Sequence, residues 1–249
     1  MAGHSKWDNI KHKKAKEDAR RGKIFTKMAR MIAVAAREGG PDPDSNFKLR
    51  VAIDRAKAVN VPAENIERAI KRGIGEMDAE SYEEFYYEGY GPGGVAVMLQ
   101  IMTNNRNRTA ADIRHIFSKH GGSLGESGCV AWMFTKKGEI RIAKAGIDED
   151  ELMMAAVEAG AEDVEASDEE FVVVTEPESY QSVREALEAG GWKIESSTVT
   201  MRPTSTVSVD GANAKKVLAL LEALEEHDDV QDVFANLDIS EEALEAIQS

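Results

Sequence analysis

The sequence predicts an α+β protein: an N-terminal three-helix bundle followed by two α/β sheet domains, one of them ferredoxin-like and inserted into the other. Three observations carry this expectation. Residues 1–75 show apolar positions at helical spacing, punctuated by Gly and Pro. Residues 136–201 alternate strand and helix patterns in the order β-α-β-β-α-β, the split βαβ arrangement. The strand, helix and strand patterns within 202–238 are too few to make a good sheet alone, so they are expected to complete a hairpin and helix at 79–135. The expected domains are therefore 1–78, 79–135 with 202–238, 136–201, and an acidic tail at 239–249.

In the first domain, a helix is expected from near Asp8, with Gly22 as a break or bend, ending at Gly39-Gly40-Pro41. Lys23, Lys27, Arg30 and Arg37 fall within an arc of about 80° of that helix. Ile24, Phe25, Met28, Met31, Ile32 and Ala35 fall opposite, so one face should be buried and the other should present a row of cations. Asp44, Ser45 and Asn46 are N-cap candidates for a second helix with Leu49, Ala52, Ile53, Ala56 and Val59 inward. Pro62 suits the first position of a third helix carrying Ile66, Ala69 and Ile70.

From Tyr82 the pattern changes to two strands around a Gly91-Pro92-Gly93-Gly94 turn, the first rich in tyrosine. Asn104 to Thr109 opens a helix running to about Lys119. Its asparagines, free N–H groups and two arginines make a reasonable anion site, although capping alone also accounts for the asparagines. Residues 129–142 read as a hairpin turning at Lys136-Lys137-Gly138. Beyond it come a helix at 148–159, strands at 163–166 and 171–175, a helix at 177–189 and a strand at 192–201. A strand at 205–210, a helix at 212–225 and a strand at 230–235 follow.

Charge is divided unevenly along the 249 residues. Residues 1–75 hold eighteen Lys and Arg against nine Asp and Glu, a net of +9, within a chain of formal charge −14. The remainder is −23. Such asymmetry suggests a basic part that meets a polyanion while the acidic body stays clear of it, or basic and acidic parts that attract one another within the molecule.

Motifs for catalysis are scarce. His4, His12, His115, His120 and His227 form no zinc array, and GGSLGESG at 121–128 lacks the Lys-Ser/Thr of a phosphate-cradling loop. The single Cys129 sits in an apolar pattern where a buried, inert thiol is expected. No RNP1-type aromatic motif marks the split βαβ segment as an RNA reader. The expectation is a non-enzymatic protein without cofactor, metal or small-molecule substrate. No run approaches the roughly 20 apolar residues of a membrane span, and the basic N-terminus lacks an apolar h-region, so a cytoplasmic location is expected.

The segments AGHSKW (2–7), NIKHKK (9–14), VAAREGG (34–40), NIERAIKRG (65–73), GYGPGGVAV (89–97), TNNRNRT (103–109) and GGSLGESGCVAWMF (121–134) resemble the YebC/PmpR family. The resemblance covers nearly the whole chain. It implies a three-domain α/β protein whose bacterial members are cytoplasmic, DNA-binding transcriptional regulators. Mitochondrial relatives act as translational activators, and other bacterial members are connected with relieving stalled ribosomes. Val61-Pro62-Ala63-Glu64 departs from the family's more usual Met-Pro-Lys-Asp by losing a cation. The leading expectation is DNA binding through phosphates, with ribosomal RNA and the ribosome as the alternative target. The residues expected to make contact are Lys6, Lys11, Lys13, Lys14, Lys16, Arg20, Arg21, Lys23, Lys27, Arg30, Lys71 and Arg72, joined by Arg106 and Arg108.

Overall fold

Helix α1 (Arg21–Gly39) buries Met28, Met31, Ile32, Val34, Ala35 and Ala36 against α2 (Phe47–Ala58) and α3 (Ala63–Gly73). The computed structural model describes residues 21–75, 82–167, 169–209 and 211–239. The part of the first helix expected before Arg21, and the tail beyond Ile239, lie outside the described residues. Of the three cap candidates for α2, Asn46 is the one used. Its side-chain oxygen accepts from Leu49 N–H at 3.0 Å, and its amide donates to Ala35 O and Gly40 O at 2.8 and 2.9 Å. One buried side chain thus starts α2 and ties it to the end of α1. Pro62 stands one place earlier than expected, as the residue before α3, with extended ψ of 141°. Gly73 is required by packing: a Cβ there would collide with Ala33 O of α1 and lie 2.9 Å from Ala36 Cβ.

The chain divides into two compact units, Met1–Met133 with Pro203–Ser249, and Phe134–Arg202. In the first, the helices just described accompany a sheet of order β3-β1-β2-β9, formed by Glu83–Tyr90 (β1), Ala96–Thr103 (β2), Ser123–Leu124 (β3) and Val230–Ala235 (β9). Strands β1 and β2 pair antiparallel from Glu83↔Thr103 to Tyr90↔Ala96. Because side chains alternate across a strand, Val97, Leu99 and Ile101 face one way and Met98 and Met102 the other. The first set packs with Ile113 and Phe117 of α4 (Arg106–Lys119) and Val217, Leu220, Leu221 and Leu224 of α7 (Gly211–Glu225). Met102, from the second set, belongs to the core of the three helices. Arg55 of α2 clasps Asp232 of β9 through two bonds of 2.7 and 2.8 Å, a bidentate tie between helices and sheet. The strand expected at 205–210 is only β8 (Val207–Ser208), paired parallel with β10 (Leu237–Asp238).

The second unit contains β4 (Phe134–Ala143), α5 (Glu149–Ala159), β5 (Asp163–Ala166), β6 (Glu170–Thr175), α6 (Tyr180–Ala189) and β7 (Ile194–Pro203). Its sheet order, β5-β6-β4-β7, is that of the ferredoxin-like fold. The hairpin expected at 129–142 is not formed. Residues Ala131–Met133 make a 3₁₀ turn, and Phe134 to Ala143 run as one strand through Lys136-Lys137-Gly138. Gly138 looked like a turn residue but marks a close approach: it pairs with Thr175, and a Cβ would lie 2.9 Å from Tyr180 Cβ of α6. On the opposite face, Arg141 bonds Glu170 at 2.5 Å and Glu139 at 3.2 Å, and Arg202 bonds Glu165 at 2.8 Å.

Candidate nucleic-acid interface

Cationic side chains were the expected contact residues, and the structure sorts them into four groups. Lys6, Lys11, Lys13, Lys14, Lys16 and Arg20 lie outside the described residues, as does the side chain of Arg21. The row on α1 is described: Lys23 and Arg37 are exposed, Lys27 and Arg30 half-buried, and all four donate to main-chain oxygens. Lys23 Nζ donates to Glu226 O at 3.3 Å, Lys27 Nζ to Glu225 O at 2.6 Å, and Arg30 Nη1 to Asp228 O at 2.8 Å. Arg37 donates to Tyr82 O at 2.5 Å. Two of these four acceptors, Glu225 O and Glu226 O, stand at the C-terminus of α7, whose last carbonyls have no partner within the helix and sit at the negative end of the helix dipole. The expectation of a freely presented row on this face is corrected to this extent: Lys23, Lys27 and Arg30 tie α1 to residues 225–228, at and just beyond the end of α7, and Arg37 ties it to Tyr82. The third group, Lys71 and Arg72 in the last turn of α3, is exposed and has no ion pair among the described residues.

The anion site expected at the start of α4 exists in chemistry but is filled by the chain itself. Asn105 caps the helix, its side-chain oxygen accepting from Arg108 N–H at 3.1 Å. Arg108 Nη2 then reaches Asp229 Oδ2 at 2.9 Å, where Thr109 Oγ1 and Thr103 Oγ1 also donate at 2.8 and 3.2 Å. Arg30 of α1 approaches the other oxygen at 3.3 Å. Burial alone would raise the Asp229 carboxyl; the hydrogen bonds from Arg108, Thr109 and Thr103, with the Arg108 charge, outweigh it and hold the group below the ordinary carboxylate value. Arg106 is also engaged, 3.4 Å from Glu83 and with its guanidinium 4.2 Å over the Phe85 ring. Around this centre a cleft of about 500 Å³ is lined by Lys23, Arg30, Tyr82, Asn104, Arg108 and His227, whose cations are balanced by Asp112, Glu226, Asp228 and Asp229.

Asp229 was missed by sequence reasoning because it lies over 100 residues from its donors. A signal did exist: TNNRNRT offers two arginines and two threonines with no acid beside them, an arrangement that calls for a carboxylate from elsewhere. Glu88 was missed for a similar reason. It is buried in β1, and its carboxylate accepts from the N–H groups of Gly128, Val130 and Ala131 at 2.6, 2.7 and 2.7 Å. This pins the segment holding Trp132, whose indole N–H donates to Cys129 O at 3.2 Å. Cys129 thus lies in a pinned loop and not in the expected strand, and burial, then the Glu88 charge, push its thiol up. Glu88→Gln is expected to destabilise the protein by about 1–3 kcal/mol, since one carboxylate oxygen becomes an NH2 donor that faces one or two of these N–H groups. The same variant should alkylate faster at Cys129 with iodoacetamide at about pH 8, because a lower thiol pKa leaves more thiolate. Equal alkylation rates would show that the Glu88 charge does not raise the Cys129 thiol.

Among the described residues no group of three or more His, Cys, Asp or Glu is placed to hold a metal ion, and no helix is long and apolar enough to cross a membrane. Residues 5–76 match the model of the TACO1/YebC protein N-terminal domain, and residues 82–237 that of the TACO1/YebC second and third domain. A "Probable transcriptional regulatory protein" of Halothermothrix orenii is 57% identical over 250 residues, covering 99% of each chain. One of the same name from Pelotomaculum thermopropionicum is 58% identical over 243 residues, covering 97% of this chain and 100% of its own. The crystal structure of a conserved hypothetical protein, Aq1575, from Aquifex aeolicus superposes with a TM-score of 0.81 at 52% identity, over 90% of this chain and 93% of that one. The chain belongs to the TACO1/YebC family.

Proposed function

We propose that this protein is a regulator of gene expression that binds nucleic acid, in the first instance duplex DNA, through phosphate contacts made by its basic N-terminal domain. The observation that carries the reading is the partition of cations. Residues 1–75 carry a net +9, yet Lys23, Lys27 and Arg30 are engaged by the end of α7 and Arg108 by Asp229. On this reading the contacts are made by Lys6, Lys11, Lys13, Lys14, Lys16, Arg20 and Arg21, with the exposed Lys71 and Arg72 as further candidates. The name borne by the relatives supports a role in regulating gene expression. Phosphate contacts of this kind set affinity without reading bases.

Neutralising six or so phosphates releases counterions, so log K is expected to fall against log salt with a slope of about −5. Titration of a labelled duplex between roughly 50 and 200 mM salt measures that slope. Binding indifferent to salt would sink the proposal. Parallel sedimentation with ribosomes identifies the polyanion: co-sedimentation without retention of the duplex assigns ribosomal RNA as the target.

A further inference from the structure

Helix α5 carries three of the seven large apolar side chains that are exposed among the described residues: Met153 at 38%, Met154 at 66% and Val157 at 56%. Its buried side is Leu152 and Ala156. At 100° per residue, Met153, Val157 and Met154 form a continuous stripe on the side turned from that core. Isolated apolar residues on a surface need no explanation, whereas three side by side on one helix make the kind of surface that a partner covers.

The surroundings say what kind of partner fits. Glu149, Asp150 and Glu151 occupy the first turn, Glu158 lies near the far end, and the helix holds no Lys or Arg. None of these four carboxylates has an ion pair among the described residues. First-turn acids are favoured by the helix dipole, but Glu158 sits in the last turn, where the dipole disfavours it. The unit from Phe134 to Arg202 carries seventeen Asp and Glu against seven Lys and Arg. A second copy of the same face would set acid against acid. An unbranched, polarisable Met surface inside an acidic frame suits an amphipathic helix whose apolar side enters the stripe and whose cations meet the carboxylates.

We propose that the exposed face of α5 is a docking surface for a basic amphipathic helix of a partner protein. Nucleic acid is excluded from it by charge, so this surface works apart from the N-terminal contact region and does not rest on it.

The test uses the full chain and a fluorescein-labelled, 18-residue Lys/Leu peptide with helical apolar spacing. The control is a peptide of the same composition with that spacing scrambled. By fluorescence anisotropy the patterned peptide is expected to bind at least tenfold more tightly than the scrambled one. Met154→Ser with Val157→Ser should weaken it at least tenfold, and Glu158→Lys should weaken it several-fold, while circular dichroism stays unchanged. These positions are exposed, so the fold is not at stake. Equal binding of both peptides overturns the proposal, as does undiminished binding to the double variant. Concentration-dependent self-association of the wild type that the double variant abolishes would also overturn it, by assigning the face to a second copy.

Discussion

Asp229→Ala is expected to lower the stability of the first unit by about 3–5 kcal/mol, the usual cost of removing one partner from a buried ion pair. Arg30, only 11% exposed at its side chain, would lose its carboxylate, and Thr103 and Thr109 would lose a shared acceptor. Urea unfolding should show the midpoint fall with little change in slope. The pH dependence follows from the sign of the shift. A carboxyl held below its ordinary value of 3.8 favours the folded state at any higher pH, because the unfolded chain binds the proton more readily. That contribution is lost as pH falls from about 4 through the depressed folded value. Asp229→Asn should therefore be less stable than wild type near neutrality and show a shallower decline toward pH 3. A loss of under about 1 kcal/mol in the alanine variant would mean that the carboxylate is not the fastening point of the α1–α4–α7 seam.

The second large effect concerns affinity. Reversing Lys13, Lys14, Arg20 and Arg21 to Glu is expected to abolish duplex binding near physiological salt. Removing four phosphate contacts should cut the salt slope from about −5 to about −2, before the added repulsion is counted. Lys27→Gln, by contrast, should change stability more than affinity, since its ammonium is bonded to Glu225 O. Filter binding and thermal unfolding of both variants separate the two roles. Full affinity in the fourfold variant would move the contact surface to Lys71, Arg72 or elsewhere.

The fold class was legible because its signals are local. Helical spacing marked α1, α2 and α3, and the strands Asp163–Ala166 and Val230–Ala235 begin and end where alternation and flanking polar residues place them. What failed were signals with two meanings. Gly138 beside two lysines reads as a turn, yet a glycine also permits the close approach of Tyr180. The cationic face of α1 reads as exposed, because periodicity separates polar from apolar sides but says nothing of what the polar side meets. The acceptors for that face come from residues about 200 positions away, at 225–228. Asp229 belongs to the same class of long-range partner. For the candidate interface, sequence supplied the inventory of cations, and tertiary contacts decided which of them are committed within the chain.

Three of the α1 cations bond to main-chain oxygens of 225, 226 and 228. A carbonyl is common to every residue type, so the fastening tolerates change in the side chains at those positions while requiring the long cationic arms opposite. It also occupies donors without occupying the partner's side chain. A hydrogen bond to a carbonyl satisfies a donor without cancelling its unit of charge, unlike a bond to a carboxylate. The donors are thus occupied, while residues 1–75 as a whole keep the net +9 that draws a polyanion toward the basic domain. That field acts on the approach of a phosphate backbone and the direct contacts act on its release, so the side chains that set the rate of encounter need not be those that set how long the complex lasts.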